Sequence, residues 1–327
     1  MDALEYAREL VAFESTSHLS NVPVSDYVEA ALKRLGFTTE RINFRDAAGV
    51  DKSSVIGKLG DGSGGLGYFG HTDVVPAADW FSDEHGPFTP QIVGDRLYGR
   101  GSCDMKGSIA CMLAAAEQIT RQKLRWPLYV ACTADEEVGF GGARELVQRS
   151  ELFHEMVAGQ TRGIIGEPTL LEVVHAHKGS YVLRTTSHGK ASHSSTGLGV
   201  NANLAMIPFL FEMKRLYDEI ENDPAWRNEE FNPPTLTMNI GINDHTDAIN
   251  ITAPQSICRV LFRPMPGQDA ESLLNRARQA AERCGVDFEV LSRGRSVYTD
   301  PNSEFVQSVL KLAGRETSRT VSYGTDG

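Results

Sequence analysis

Short apolar segments alternate with helical segments over roughly the first 175 residues of the chain, and this alternation restricts the fold more than any other feature. The apolar segments lie at 53–60, 65–71, 124–134 and 162–168, and the helical ones at 2–13, 24–37, 105–120 and 141–149. Strands that alternate with helices favour a sheet whose neighbouring strands run parallel, with helices on both faces. We therefore predict an α/β domain built on a mainly parallel sheet.

The pattern of the chain changes after residue 178. Strands are predicted at 180–190, 234–243, 255–265 and 286–292, with long helices at 201–221 and 269–285. This β-α-β-β-α-β order is typical of a ferredoxin-like α+β domain. One further helix is predicted at 303–316. We expect two domains, 1–178 together with 291–327 and an inserted domain at 179–290.

Charge and cysteine content exclude several classes of protein. The net charge of −11 argues against binding to nucleic acid or to an anionic membrane surface. The five cysteines contain no CxxC pair, so neither a disulfide framework nor a cysteine zinc site is indicated. The N-terminal segment has acidic residues where a signal peptide needs basic ones, and no apolar run approaches a membrane span. We expect a soluble cytoplasmic protein.

Acidic and histidine side chains follow the predicted strands of the first domain. They are His71 and Asp73, Asp104, the pair Glu136 and Glu137, and Glu167. The carboxyl ends of strands in an open α/β sheet meet at one edge, where ligands bind. Taken singly, each group has a plainer interpretation as a structural histidine, a turn former or a solvated carboxylate. Their recurrence after apolar segments favours one shared site.

The residue types of this predicted site narrow the choice of ligand. One imidazole with several carboxylates and no thiolate suits zinc, manganese or cobalt. Several carboxylates in one cleft repel each other unless cations neutralise them, and two ions that share a carboxylate would do so. One carboxylate of the Glu136–Glu137 pair would then be a general base and the other a ligand.

Six motifs together resemble one known family. GHTDVVP at 70–76, YGRGSCDMKG at 98–107, ADEEVG at 134–139, GEPT at 166–169, AHKG at 176–179 and GKASHSS at 189–195 look like the dizinc family of acetylornithine deacetylase. Its relatives include succinyl-diaminopimelate desuccinylase, aminoacylase and the glutamate carboxypeptidases. The resemblance implies a zinc-hydrolase catalytic domain with an inserted lid and dimerisation domain.

The resemblance also implies a set of metal ligands. His71 and Glu167 would bind one ion, Glu137 would bind the other, and Asp104 would bridge the two. The cofactors would be two divalent ions, with zinc as the first choice and cobalt or manganese as alternatives.

Further roles in catalysis follow from the same resemblance. Glu136 would be the general base, and Asp73 would lie behind His71 and fix its tautomer. His193 would reach the partner subunit's active site and donate a hydrogen bond to the developing oxyanion. Asn250 and Arg263 match positions that hold the substrate carboxylate.

Two features depart from the family pattern. The Gly-Gly pair that usually precedes the segment of Asn250 is replaced by GINDHTDAINITAP. The last metal ligand of the family is a histidine near the C-terminus, and this chain has no histidine after His245. Either the sequence is part of a longer one, or the protein lacks a ligand and holds its second ion weakly.

The implied reaction is hydrolysis of the amide bond of an N-acyl amino acid by a metal-bound hydroxide, with Glu136 as base. The substrate would be a small molecule of the N-acetylornithine type, as in arginine biosynthesis, and the enzyme a homodimer through its lid domain. A dipeptidase, carboxypeptidase or desuccinylase activity is an alternative within the family. An inactive homologue or fragment is the alternative of another class.

Overall fold

The first helix shows how local sequence sets the element boundaries. In this computed structural model, which describes residues 1–120 and 123–327, helix α1 (Ala3–Val11) begins after Asp2. The Asp2 side chain accepts from the Glu5 backbone N–H, and the Glu5 side chain accepts from the Asp2 backbone N–H. This reciprocal capping box satisfies two backbone donors at the helix start.

Contacts between Cα atoms divide the described residues into two units. Unit 1 is Met1–Leu171 with Thr325–Gly327, and unit 2 is Glu172–Gly324. The predicted domain bounds, with a second domain at 179–290, stay a prediction.

Unit 1 contains five helices and seven strands among its described residues. Besides α1, the helices are α2 (Val22–Arg34), α3 (Lys106–Ile119), α4 (Gly141–Arg149) and α5 (Glu151–Ala158). The strands are β1 (Thr38–Arg45), β2 (Asp51–Leu59), β3 (Leu66–His71), β4 (Gln91–Val93), β5 (Arg96–Tyr98), β6 (Leu128–Thr133) and β7 (Arg162–Ile165).

The main sheet of unit 1 has the strand order β1-β2-β6-β3-β7. Strands β6, β3 and β7 run parallel, whereas β1, β2 and β6 pair antiparallel. The predicted α/β class is confirmed, and the sheet is mixed rather than mainly parallel. The reversed strand is β2, which pairs antiparallel with β6 on one side and, through a short connection, with β1 on the other. The sequence pattern did not predict β1, of which only Ile42 is buried.

Helices cover both faces of this sheet. On one face α1, α2 and α3 pack against apolar side chains that include Val55 of β2 and Val130 of β6. On the other face α4 and α5 pack against Ile56 and Tyr129, which lie next to Val55 and Val130 in the chain. Because successive strand residues point to opposite faces, β2 and β6 supply both cores, and their ends are held rigidly.

Unit 2 contains three α-helices and seven strands among its described residues. The helices are α6 (Ala202–Asn222), α7 (Ala270–Cys284) and α8 (Glu304–Ala313). The strands are β8 (Val174–His177), β9 (Ser180–His188), β10 (Thr237–Asn243), β11 (Gln255–Arg263), β12 (Asp287–Gly294), β13 (Val297–Tyr298) and β14 (Arg319–Val321).

The main sheet of unit 2 has the order β10-β11-β9-β12, with every pairing antiparallel. With α6 and α7 it gives the β-α-β-β-α-β arrangement that the sequence predicts. Phe209 of α6, Phe262 of β11 and Leu273 of α7 are fully buried between the helices and the sheet. No helix in the described part of the chain is long and apolar enough to cross a membrane.

Candidate metal centre

His71 is the last residue of β3 and is almost completely buried. Strand β3 lies between β6 and β7 and runs parallel to both, so the three strands end at the same edge of the sheet. Glu136 and Glu137 follow β6, and Glu167 follows β7. The topology therefore places the predicted acidic residues at the edge where His71 lies.

The side chains of this edge are close together. The His71 Nε2 atom is 3.2 Å from an Asp104 carboxylate oxygen and 4.0 Å from a Glu136 oxygen. His71, Asp104 and Glu137 each offer one possible ligand atom, and these three atoms lie within 4.8 Å of one another. The Asp104–Met105 peptide bond is cis. A divalent cation can bind between donors at such separations, since its bonds to nitrogen and oxygen are about 2.0–2.2 Å long.

The other nitrogen of His71 fixes the tautomer. Nδ1 is 2.9 Å from the backbone carbonyl oxygen of Asp73 and 3.7 Å from its carboxylate. In a neutral imidazole Nδ1–H donates to that carbonyl, which leaves the lone pair of Nε2 facing Asp104. The expected contact behind His71 is therefore made most closely by the Asp73 backbone, and the catalytic role given to Asp73 stays a prediction.

The Asp73 carboxylate instead holds the loop that follows β6. It accepts from the backbone N–H groups of Glu136 at 3.1 Å and Glu137 at 3.3 Å, and from the Ser17 hydroxyl at 2.7 Å. These bonds satisfy a fully buried carboxylate and fix the backbone on which both predicted functional glutamates are carried.

This loop has an unusual backbone. Asp135 and Phe140 have positive φ angles of 58° and 64°, a region that few residues other than glycine adopt. Gly142, in the first turn of α4, lets the loop fold back on itself, since a Cβ there would lie 2.5 Å from the backbone N and O of Ala134. Strain of this kind is concentrated at functional sites.

Burial and mutual repulsion shift the acidities of the cluster. Burial raises the pKa of Glu136 to about 8, with Asp326 and Glu167 adding to the effect and His71 opposing it. Burial likewise raises the pKa of Glu167 to about 7. The pKa of Glu137 is also raised, by burial and by Asp104. Without a cation, these carboxyls hold protons at pH values where an exposed glutamate is ionised.

The pKa of His71 also reflects the excess of negative charge in the cluster. Burial lowers the pKa of His71, but the hydrogen bond with Asp104 and the charges of Asp73 and Glu136 outweigh it and raise the pKa to about 10. In the absence of a metal ion, a protonated imidazole is the cation closest to the acidic cluster.

Asp326 belongs to the same cluster, and the sequence analysis did not identify it. Asp326 is half-buried, Thr133 at the end of β6 donates a hydrogen bond to one of its carboxylate oxygens, and the other oxygen is buried without a hydrogen-bond partner among the described residues. Burial raises its pKa to about 6, His71 lowers it, and Asp73 raises it. In the sequence, the only signal for Asp326 was that an acidic residue stands shortly after the segment that forms β14.

The donor set fits divalent cations. The cluster combines one imidazole nitrogen aimed at a carboxylate, carboxyls whose pKa values are raised by burial and by one another, and a buried carboxylate oxygen without a hydrogen bond. Each of these is unfavourable in a metal-free protein and becomes favourable when a cation binds. Thiolates play no part, which agrees with the hard or borderline metals predicted from the sequence.

The remaining predicted residues lie in unit 2. His193 and Asn250 are brought together, since the Ser194 N–H donates to the Asn250 carbonyl oxygen at 2.8 Å. The Nδ1 atom of the exposed His193 ring lies 2.7 Å from the Ser195 hydroxyl and accepts from the Ser195 backbone N–H at 3.3 Å, an arrangement that favours the Nε2–H form of the neutral ring. Burial lowers the pKa of His177, and the charge of Arg263 at the end of β11 adds to this effect.

An α/β sheet with an imidazole and clustered carboxylates at the ends of its parallel strands defines a metal-dependent hydrolase. The family model of peptidase family M20/M25/M40 matches residues 67–327. An acetylornithine deacetylase of Myxococcus xanthus is 36% identical over 330 residues, covering 97% of this chain and 83% of the relative. The chain therefore belongs to peptidase family M20/M25/M40, whose members hydrolyse amide bonds with the help of metal ions.

Solved structures share the fold. The M20 family metallo-carboxypeptidase Sso-CP2 of Sulfolobus solfataricus has a TM-score of 0.76 at 17% identity, covering 100% of this chain and 87% of that one. The YXEP protein of Bacillus subtilis, described as a dinuclear metal binding peptidase, has a TM-score of 0.62 at 13% identity, covering 99% and 83%. At these identities the similarity shows the fold alone.

Proposed function

We propose that the protein removes the acyl group from an N-acyl amino acid, with N-acetylornithine as the first candidate substrate. The observation that carries this proposal is the convergence of a buried His71 with Asp104 and Glu137, with Glu136 beside it, in a chain that is 36% identical to an acetylornithine deacetylase. The setting would be amino-acid biosynthesis of the arginine type in the cytoplasm.

In this proposal two divalent ions, zinc before cobalt or manganese, bind at the cluster. His71 and Glu167 would hold one ion, Glu137 would hold the other, and Asp104 would serve both. The approach of the His71 and Asp104 donor atoms to 3.2 Å supports a common ligand site. When bound, the ions would polarise the amide carbonyl and lower the pKa of an attacking water.

Glu136 handles the proton in this mechanism. Its carboxylate takes a proton from the attacking water and passes it to the departing amine nitrogen. The raised pKa of this carboxyl reflects a buried site in which a proton is held readily, and nearby cations would bring the value down towards neutral pH. The backbone bond from Glu136 to Asp73 keeps the side chain at the edge of the cluster.

Residues of unit 2 complete the proposed reaction. His193 donates from Nε2 to the oxygen that becomes negative in the transition state, and the bond at Nδ1 supports the tautomer that this role requires. Arg263 and Asn250 hold the substrate carboxylate, Arg263 through the paired donors of its guanidinium. In a homodimer, His193 would serve the active site of the partner subunit.

An apolar surface of unit 2 supports the proposed homodimer. Leu204, Ile207 and Phe211 repeat at three- and four-residue intervals along α6, and each is more than half exposed. The neighbouring edge strand β10 carries the exposed Ile242, and Asn203 of α6 bonds to Asp244 just beyond this strand at 2.7 Å. Exposed apolar residues grouped beside an unpaired strand edge are typical of an interface between subunits.

A substrate panel tests the proposed function. The zinc-loaded protein is assayed with N-acetylornithine, N-succinyl-diaminopimelate and several dipeptides. The proposal expects acetate release from N-acetylornithine with the highest kcat/KM of the panel. Faster cleavage of a dipeptide or of the succinyl substrate would instead assign a dipeptidase or a desuccinylase activity to the protein. No hydrolysis of any amide by metal-loaded protein would contradict it.

A further inference from the structure

Lys52 is a lysine without contact with solvent. It lies in β2, and its side chain is 0% exposed. The ammonium donates to the backbone carbonyls of Ser17 at 2.6 Å and Leu19 at 2.9 Å, and it lies 2.7 Å from the Asp135 carboxylate. Lysine is almost never fully buried unless its charge is paired, and here the carboxylate and the two carbonyl oxygens compensate the ammonium.

The partners of Lys52 lead to the candidate active site. Ser17, whose carbonyl binds the ammonium, donates its hydroxyl to the Asp73 carboxylate at 2.7 Å. The Asp73 carboxylate in turn accepts the backbone N–H of Glu136 at 3.1 Å. Glu136 follows Asp135 in the chain, and Asp135 is the ion partner of Lys52. The contacts therefore form a closed ring, which we call the Lys52 ring: Lys52, Ser17, Asp73, Glu136 and Asp135.

The Lys52 ring joins strand β2, which carries Lys52, to three other parts of the chain. Ser17 follows α1, Asp73 follows β3, and Asp135 follows β6. The ring includes the residue with a positive φ angle, Asp135, which immediately precedes the proposed base. The ion pair of Lys52 and Asp135 is buried on both sides, with side-chain exposures of 0% and 7%, so solvent screens the attraction between the two charges only weakly.

We propose that Lys52 is a positioning residue for Glu136: through Asp135 and Ser17 it fixes the loop so that the Glu136 carboxylate stays at the cluster edge. The inference deepens the proposed function and rests on the role of Glu136 in it. Lys52 touches neither the cluster nor the substrate in this proposal. Its effect is on the geometry of proton transfer, where a displacement of about 1 Å can cost about a hundredfold in rate.

The first test compares two lysines of the same strand. Lys52→Met removes the ammonium, and Lys58→Met is the matched control, because Lys58 also lies in β2 and pairs with a carboxylate, that of Glu155 at 2.5 Å. We expect Lys52→Met to lower kcat roughly 10- to 100-fold with little change in KM or in zinc content. Lys58→Met should keep the wild-type kcat. Equal kcat values for Lys52→Met and wild type would overturn the proposal.

Hydrogen exchange gives a measurement that does not depend on activity. The Glu136 and Glu137 amides are bonded to Asp73, so loss of the ring should speed the exchange of a peptide covering 134–140. A peptide from α3 should exchange at the wild-type rate. Faster exchange in both peptides would show a general loss of stability and would overturn the positioning role.

A double variant covers the case in which Lys52→Met folds poorly because Asp135 is left as an unpaired buried charge. Lys52→Met/Asp135→Asn removes both charges and should recover thermal stability while kcat stays low. Recovery of wild-type kcat with the stability would overturn the proposal. In a Glu136→Gln background, Lys52→Met should have no further effect on residual turnover, since both act on one step. If wild-type protein hydrolyses no amide, the proposed function fails instead. The hydrogen-exchange result then still tests whether the Lys52 ring holds the loop that carries Glu136.

Discussion

The two main sheets of the molecule bury different kinds of residue. At the strand ends of the unit 1 sheet, His71, Asp73 and Lys52 are each no more than 1% exposed. The unit 2 sheet packs α6 and α7 over a core of aliphatic and aromatic side chains, such as Phe209 and Phe262. Apolar burial stabilises a fold, whereas buried charge must be compensated residue by residue.

This difference in buried residues implies that the two regions contribute differently, one mainly to stability and the other to the candidate site. The apolar core beneath α6 and α7 gains free energy of folding from side chains that need no hydrogen-bond partners. Unit 1 keeps ionisable groups out of water, and ion pairs, backbone amides and, in our proposal, metal ions compensate them. Changes in the two regions should therefore have different signatures, and four predictions test this contrast.

The largest effect is expected from Glu136→Gln. Loss of a general base costs about 10²- to 10⁴-fold in rate, so kcat should fall into that range, while zinc content and thermal stability stay at or above the wild-type level. Steady-state kinetics and metal analysis measure both. A variant that keeps more than a tenth of the wild-type kcat would show that another group takes the proton.

In unit 2 the largest effect should be on stability. Phe262→Ala leaves a cavity in the apolar core and should lower the free energy of unfolding by about 3–5 kcal/mol, as measured by urea denaturation. Leu312→Ala is the control, because Leu312 is 88% exposed and its loss should cost at most about 0.5 kcal/mol. Similar losses from both variants would contradict the core that we describe.

The acidic cluster should make the metal-free protein sensitive to pH. Burial raises the pKa of Glu136 to about 8 from its model-peptide value of 4.5. A carboxyl with a raised pKa holds its proton more tightly in the folded state, so its stabilising effect is full below 4.5 and is lost as the pH rises through 8. The Tm of EDTA-treated protein should therefore fall between pH 5 and pH 8.

Two controls sharpen this prediction. Zinc should abolish the decrease, because a cation favours the ionised carboxyls, and Glu136→Gln should make it shallower by removing one titrating group. A Tm of the metal-free protein that rises across this pH range would show that the carboxyls are compensated without metal.

The smallest effect on folding is expected at the exposed surface of α6. The double substitution Leu204→Glu/Ile207→Glu should convert the proposed dimer to a monomer in light scattering, with Tm changed by no more than a few degrees, since both side chains are exposed in the single chain. Ala205→Glu, on an exposed position away from this stripe, is the control and should leave the dimer intact. A wild-type monomer would remove the basis for the proposed role of His193 in a partner subunit.

The sequence was informative where local pattern and chemistry coincide. Residues 70–76 combine the end of an apolar strand with His71 and Asp73, and 134–139 combine another strand end with the two glutamates. Parallel pairing of β3 with β6 and β7 then brings these ends together without further information. The β-α-β-β-α-β order of unit 2 was predictable for the same reason, because alternation and helical spacing are local.

Long-range contacts between ordinary residues were not predictable. Asp326 joins the cluster through Thr133, 193 residues away in the chain, and no periodicity indicates that contact. Lys52 stands at the start of a strand, where a lysine is usually solvated, and its burial depends on carbonyls of the loop after α1. Strand β1 was missed because most of its side chains are polar or exposed.

The most direct test of the account is to measure acetate release from N-acetylornithine by EDTA-treated protein, before and after stepwise addition of Zn²⁺. The account predicts no turnover without metal and recovery that follows zinc occupancy, with no recovery in Asp104→Ala. Turnover that persists in the chelated protein, or zinc that binds equally well to Asp104→Ala, would contradict a metal centre at the ends of the parallel strands.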